Sequence, residues 1–307
     1  MGSNPYQLLR YVPMWMLYLL AHFASFVLNL NTNHKVMNII RTNLLLAYPK
    51  MSETEREVFV KKSLKQQAVN MIASIKSWAM PPQWSIDQIH TVHRQQVLLD
   101  ALDNPNGMLA IVPHLGAWEI MNAWLNQFGS PTIMYKPVKG ELINEFVLQG
   151  RQRLNATLVP TDATGVKAIF KTLKSGGFSI ILPDHVPDPS GGVVVPFFGV
   201  PTMTSTLAPK LAQKTQCALV GLTCIQREDG QGFDIYCDRL DDPNLYHKDI
   251  HTATLAFNQA IETMIERFPL HYTWNYKRFK HTPIGDDVYA LDTDTLAKAR
   301  KQTLKEV

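Results

Sequence analysis

Leu-Ala-Ile-Val-Pro-His-Leu-Gly-Ala-Trp-Glu, residues 109–119, is the stretch on which the fold of this chain turns. The apolar run 109–113 predicts a buried strand. His114 follows it directly, Gly116 lets the backbone turn, and 117–127 reads as a helix. A histidine placed this way stands at the carboxyl end of a strand, where α/β folds gather their sites. Glu119 falls in the first turn of that helix. From there it is expected to fold back, accept a hydrogen bond from one imidazole nitrogen and leave the other free as a base. Such a base-plus-orienter pair activates a hydroxyl. The backbone N–H groups of residues 115–117, which open the helix, are the expected donors to a tetrahedral oxyanion.

Working outward, helices come first and alternating elements follow. Ser52 with Glu55 is a capping box for a long helix over 53–79, ended by Pro81 and Pro82. After the 109–113 strand, further strands are predicted over 131–135, 156–159 and 178–183, with helices over 140–153, 165–174 and 204–215. The runs 218–226 and 233–239 flank Asp229-Gly230-Gln231-Gly232 and predict a hairpin. A helix over 249–267 and an extended run over 271–274 complete the pattern, and 291–304 suits a loose basic helix. This alternation predicts an α/β fold, a mixed central sheet flanked by helices.

The amino terminus carries a separate signal. From Tyr11 to Asn33 there is no Lys, Arg, Asp or Glu. That length suits a membrane-anchoring helix. Tyr18, His22, Ser25 and Asn29 nevertheless form one polar stripe, fit to pack on the chain's own domain while the other faces meet lipid. The expectation is a retained anchor, spanning or half-inserted, over 1–33. A main domain would follow over 34–282 and a basic tail over 283–307. Lys35 and Arg41 follow the segment while only Arg10 precedes it, which places the main domain on the cytoplasmic side.

Composition limits the classes. The chain has 307 residues, 46% hydrophobic and 18% charged, with a net charge of +4. A pI near 8.8 allows an acidic partner without demanding nucleic acid, and no nucleic-acid partner is expected. Cys217, Cys224 and Cys237 are odd in number and never spaced as C-x-x-C, which argues against a disulfide framework or a zinc site. The ten histidines contain no His-Glu-x-x-His and no compact ligand set, so metal-dependent hydrolysis is disfavoured. No metal or cofactor is expected.

Five blocks in order carry a family resemblance. His114-x4-Glu119 resembles the His-x4-Asp/Glu motif of the glycerolipid acyltransferases. Met-Tyr-Lys-Pro at 134–137 resembles the Tyr-Arg-Pro block found after it. Leu-Pro-Asp-His at 182–185 and Val-Pro-Phe-Phe-Gly-Val-Pro at 195–201 follow at a similar distance. Trp-Asn-Tyr-Lys-Arg-Phe-Lys at 274–280 resembles a Trp-x-x-Arg-Arg-Phe-Lys ending. Together they resemble the late acyltransferases of lipid A biosynthesis, the lauroyl/myristoyl type, from about residue 10 to about 282. Lys136 stands where arginine is usual, and Asn275-Tyr276 replaces a histidine-containing pair.

The resemblance implies a glycerol-3-phosphate acyltransferase-like fold at the bacterial inner membrane. It implies acyl transfer from an acyl carrier protein thioester to a hydroxyl of a 3-hydroxyacyl chain on a lipid A precursor. His114 would be the general base and Glu119 its orienter. No acyl-enzyme is required, and no Gly-x-Ser-x-Gly elbow is present. By the same resemblance Arg151 and Lys136 grip a phosphate or the reacting carbonyl, the alternative being a solvated basic face. Asp184 and His185 follow another strand end and argue for the same rim, or for a loop salt bridge. Phe197 and Phe198 line an acyl channel or pack the core. Lys277, Arg278 and Lys280 suit an acidic carrier or anionic headgroups, or are plain surface. Rival readings are an acyltransferase for a lysophospholipid or another glycolipid, and an inactive membrane-bound scaffold.

Overall fold

A computed structural model describes residues 4–30 and 34–303; the expected anchor and tail also include 1–3, 31–33 and 304–307, which lie outside the described residues. Pro13 divides the apolar amino terminus. A residue before proline is pushed to extended backbone, and Val12 sits at φ −80°, ψ 122°. A 3-10 helix over Pro5–Tyr11 ends there, and α1 (Met14–Leu30) leaves at 116° to it. Lys76 closes the break, its Nζ donating to the carbonyls of Leu9, Arg10 and Val12 at 2.8–2.9 Å.

The 17 residues of α1 fall short of the roughly 20 a spanning helix needs. Among the described residues no single helix is long and apolar enough to cross a membrane. α1 lies along the protein instead. Leu17, Ala21 and Ser25 are buried, whereas Trp15, Leu19, Leu20, Phe23, Phe26 and Leu30 are 59–70% exposed. Tyr18, His22 and Asn29 are half-buried beside Ser25, so the polar stripe faces the protein and the apolar faces point out.

Two further helices follow, α2 (Lys35–Ala47) and α3 (Glu53–Ala79), and α1 packs on α3. The capping box forms: the Ser52 amide donates to Glu55 Oε2 at 2.9 Å and the Glu55 amide to Ser52 Oγ at 3.3 Å. The chain continues through α4 (Pro82–Asp87), β1 (Ile89–His93), α5 (Gln95–Leu102), β2 (Met108–Ile111), α6 (Trp118–Leu125), β3 (Thr132–Tyr135) and α7 (Glu141–Gln152). Then come β4 (Thr157–Pro160), α8 (Ala163–Lys174), β5 (Phe178–Ile181), β6 (Gly192–Phe197), β7 (Val200–Ser205) and α9 (Leu207–Thr215). β8 (Ala218–Gln226), β9 (Phe233–Arg239), α10 (Ile250–Arg267) and α11 (Thr293–Thr303) complete it.

Seven strands form one mixed sheet in the order β1-β9-β8-β2-β5-β3-β4, with the parallel run β8-β2-β5-β3-β4 and β9 antiparallel to β8. All four residues of β2 are buried, which suits a strand covered by helices on both faces. Its neighbour β5 is buried likewise. Apolar side chains on the two faces form separate core clusters, one holding Leu109 and Ile111, the other Met108 and Ala110. That division is the period-two alternation of a strand.

Two sequence expectations are corrected. The segment 204–206 is not helical; β6 and β7 pair there as an antiparallel hairpin, closed at Phe198-Gly199 with both residues at positive φ. The extended run expected over 271–274 begins in a 3-10 turn over Pro269–His271 and then bridges, at Tyr272, to Leu115 beyond the end of β2. Phe197 and Phe198 belong to the buried core.

Candidate active site

β2 and β5 run side by side, and Ile111 pairs with Ile181. His114 and Asp184 each lie three residues beyond that pair. Parallel strands end at the same edge, so the two side chains meet above the sheet. The His114 imidazole reaches Asp184 Oδ1 through Nδ1 at 2.8 Å, and the His114 backbone N–H donates to Asp184 Oδ2 at 2.9 Å. The His114 carbonyl accepts from the amide and hydroxyl of Thr273 at 3.0 and 2.8 Å. The residue is thereby held at backbone and ring.

Asp184 is 2% exposed. Burial opposes its charge, but the neighbouring His114 and the two hydrogen bonds from it outweigh that and hold the carboxyl well below the usual range. The buried Tyr272 hydroxyl, its pKa raised first by burial, also hydrogen-bonds to Asp184. The carboxylate is therefore ionised at neutral pH. It favours the proton on Nδ1, which leaves the Nε2 lone pair able to accept one.

Glu119 does not perform that task, which corrects the sequence expectation. It is 2% exposed and paired with Arg151, whose Nε and Nη2 approach Glu119 Oε1 at 3.2 and 2.5 Å. A carboxylate so deeply buried needs a cation beside it, and Arg151 at the end of α7 supplies one. The guanidinium also lies over the rings of Trp118 and Tyr135 at 5.1 and 5.3 Å. Glu119 thus positions Arg151 rather than His114.

The expected backbone oxyanion donors are likewise engaged elsewhere. The amide of Leu115 donates to Pro113 O, that of Gly116 to His271 O and that of Ala117 to Cys224 O. Gly116 itself, at φ +75°, runs so close to the next strand that a Cβ would stand 2.0 Å from Cys224 O. The groups free to meet developing charge are side chains. Arg151 keeps Nη1 outside its pair with Glu119, and exposed Lys136 stands beside it on the same wall.

These residues surround a cavity of about 340 Å³. His114, His185, Lys136 and Arg151 contribute its polar wall, and Met121, Leu125, Ile133, Leu158 and Ile180 are part of its apolar wall. His185 stacks on the His114 ring at 3.8 Å and on Tyr276 at 4.2 Å. Burial, then repulsion from the neighbouring His114 ring, lowers its pKa to about 4, so it is neutral at pH 7.

The late block 274–280 braces this site. Asn43 Nδ2 donates to the carbonyls of Trp274 and Tyr276 at 2.6 and 2.7 Å, and the Val186 amide donates to the Tyr276 hydroxyl at 2.9 Å. Arg278 is no surface contact, which corrects the expectation of a carrier or headgroup role. It is 2% exposed and donates to Met203 O and Thr204 Oγ1 at 2.8 and 2.7 Å, with its guanidinium over Phe197. Its neighbours point outward: Lys280 is exposed, and Lys277 lies over the Tyr289 ring, 3.9 Å from Asp287. The cysteines are free and buried. Among the described residues no group of His, Cys, Asp and Glu could hold a metal ion.

A model of the bacterial lipid A biosynthesis acyltransferase family matches residues 5–281. The chain is 29% identical over 252 residues to a lipid A biosynthesis lauroyltransferase of Escherichia coli, covering 80% of each protein. It is 26% identical over 284 residues to a lipid A biosynthesis acyltransferase of Haemophilus influenzae, covering 91% of this chain and 86% of that one. To a lipid A biosynthesis palmitoleoyltransferase of Escherichia coli it is 23% identical over 257 residues, 81% of this chain and 80% of the other.

Proposed function

Since the chain belongs to the bacterial lipid A biosynthesis acyltransferases, we propose that it moves a fatty acyl group from an acyl carrier protein thioester to a hydroxyl of a 3-hydroxyacyl chain on a lipid A precursor. The observation that carries this reading is the His114–Asp184 pair at the polar end of an apolar-walled cavity. An apolar wall suits a hydrocarbon chain, and the pair suits deprotonation of an alcohol.

The geometry is compatible with the following reaction. Nε2 of His114 takes the proton of the acceptor hydroxyl as its oxygen attacks the thioester carbonyl carbon. Asp184 stabilises the imidazolium that forms. Lys136 and Nη1 of Arg151 meet the oxyanion. The C–S bond then breaks, and the departing sulfur takes the proton back from Nε2. The acyl group passes directly from the thioester to the new ester and the carrier leaves as its free thiol, with no covalent enzyme intermediate. General-base help of this kind accelerates a reaction by about 10²–10⁴, and preorganised cations add to it.

Both substrates are lipidic, and the exposed apolar face of α1 suits a membrane surface. On this reading α1 lies in the bilayer interface of the inner membrane, on the cytoplasmic side, with its polar stripe against α3. The test is reconstitution. Purified protein should transfer a dodecanoyl chain from the carrier to a lipid A precursor, and mass spectrometry of lipid A from cells with and without the protein should differ by one acyl group. No transfer to that acceptor, with transfer to a lysophospholipid, would replace the acceptor assignment.

A further inference from the structure

One polar side chain inside the cavity has no part in this mechanism. Asn122 lies on α6 four residues beyond Trp118, which is about 6 Å further along the helix at 1.5 Å per residue. It lines the cavity and is 6% exposed. The cavity residues Lys136, Thr161 and His185 are exposed, so they belong to the mouth, whereas Asn122 stands among Met121, Leu125 and Ile133.

Its amide is only half satisfied. Oδ1 accepts from Asn126 Nδ2 at 3.3 Å, while Nδ2 donates to no group among the described residues. Exchanging the O and N of the amide would set two donors face to face and leave the oxygen free instead. One turn on, Asn126 Oδ1 is buried without a partner, but Asn126 does not line the cavity. On the cavity side Nδ2 therefore lacks an acceptor. Sealing Nδ2 from water without a partner would cost about 1–3 kcal/mol, and a leucine at 122 would carry no such penalty in this wall.

We propose that Asn122 is a specificity-determining residue that selects a donor acyl chain bearing a hydroxyl, which accepts a hydrogen bond from Nδ2 inside the cavity. The inference rests on the acyl-transfer reading above. A hydroxyl supplies the acceptor that Nδ2 lacks. A plain hydrocarbon chain would seal Nδ2 away from water with no partner. A site built to bond a hydroxyl rejects the analogue lacking it for that reason.

The experiment is a competition between carrier-bound dodecanoyl and hydroxydodecanoyl donors, the hydroxyl being moved carbon by carbon along the chain. The products differ by one oxygen, so mass spectrometry counts both in one tube. For at least one hydroxyl position the wild type should favour the hydroxylated donor at least tenfold in kcat/KM. Asn122→Leu should bring that ratio to one or below while keeping or raising transfer of the plain chain. Asn122→Ala should also lower the ratio, and it decides the matter if thermal melting shows that the leucine variant does not fold. Equal use of both donors by the wild type at every position, or a ratio unchanged in the folded variants, would overturn the proposal and leave acyl transfer standing. Transfer of neither donor would remove the acyl-transfer reading and this inference together.

Discussion

Asp184 meets His114 twice, once at the backbone N–H and once at the ring, at 2.9 and 2.8 Å. One carboxylate therefore sets both the position and the tautomer of the imidazole. Asp184→Asn should keep the fold but lower kcat by about 10²–10⁴, with KM nearly unchanged. His114→Ala should lower it at least as far. Steady-state kinetics on proteins of matched melting temperature check this, and near-wild-type turnover in a folded His114→Ala protein sinks the mechanism.

Glu119 predicts a different signature. Its substitution removes the partner of a largely buried guanidinium, and breaking such a pair costs about 3–5 kcal/mol. Glu119→Gln should lower the melting temperature sharply. The double variant Glu119→Gln, Arg151→Met should recover much of the loss, since neither charge is then stranded. A double-mutant cycle by denaturant unfolding measures the coupling. Additive losses would mean that the two residues act independently.

The exposed face of α1 offers a third test. Leu20→Asp with Phe23→Asp places charge at two outward positions and removes no buried contact. Sedimentation with anionic vesicles should fall severalfold, while unfolding in detergent-free buffer is unchanged. Unaltered vesicle binding would show that another surface meets the lipid.

Within the late block, neighbours should part company. Arg278→Leu strands its buried acceptors and should destabilise the protein by roughly 1–3 kcal/mol. Lys277→Glu with Lys280→Glu should leave stability intact, raise the KM for carrier-bound donor and flatten its salt dependence, because rim charges act on encounter and are screened over about 8–10 Å. A salt series of initial rates decides it; an unchanged KM at low salt would remove these lysines from the carrier surface.

Acid should weaken the fold through buried histidine. Burial lowers the pKa of His271 to about 4. Between that value and the unfolded pKa near 6.5, the unfolded chain binds the proton and the folded one does not. Stability is thus full above about 6.5 and is lost as pH falls toward 4, by at most about 3 kcal/mol. His185 adds a smaller contribution in the same window, reduced by its exposure to solvent. His271→Gln should flatten the dependence of melting temperature on pH between 4 and 6.5. An unchanged slope would assign the acid sensitivity elsewhere.

The sheet was legible where the signal is local. The strands at 218–226 and 233–239 follow their apolar alternation, and the helix over 53–79 follows its capping box and terminal prolines. The hairpin at 192–205 was hidden because Pro196 and Pro201 break any strand pattern; they face each other in a pair outside the main sheet. The place of His114 at the cavity was legible because it follows its strand at once. Its partner was not, because Asp184 is seventy residues away and only the adjacency of β2 and β5 brings it near. Glu119 was close in sequence but points to Arg151, and no local pattern separates those outcomes. Asn122 carried no signal either: an asparagine on a helix gains meaning only from the apolar wall around it.

The pairing of Ile111 with Ile181, with His114 and Asp184 each three positions onward, makes the strand ladder a gauge for the reacting groups. A slip of one residue moves a strand by about 3.3 Å and turns its side chains to the opposite face. A chain that had collapsed and regained its helices, but mispaired these two strands, would hold His114 and Asp184 apart. Activity recovered during refolding would then clock the locking of that register, an event that spectroscopic return of helix content would precede and fail to report.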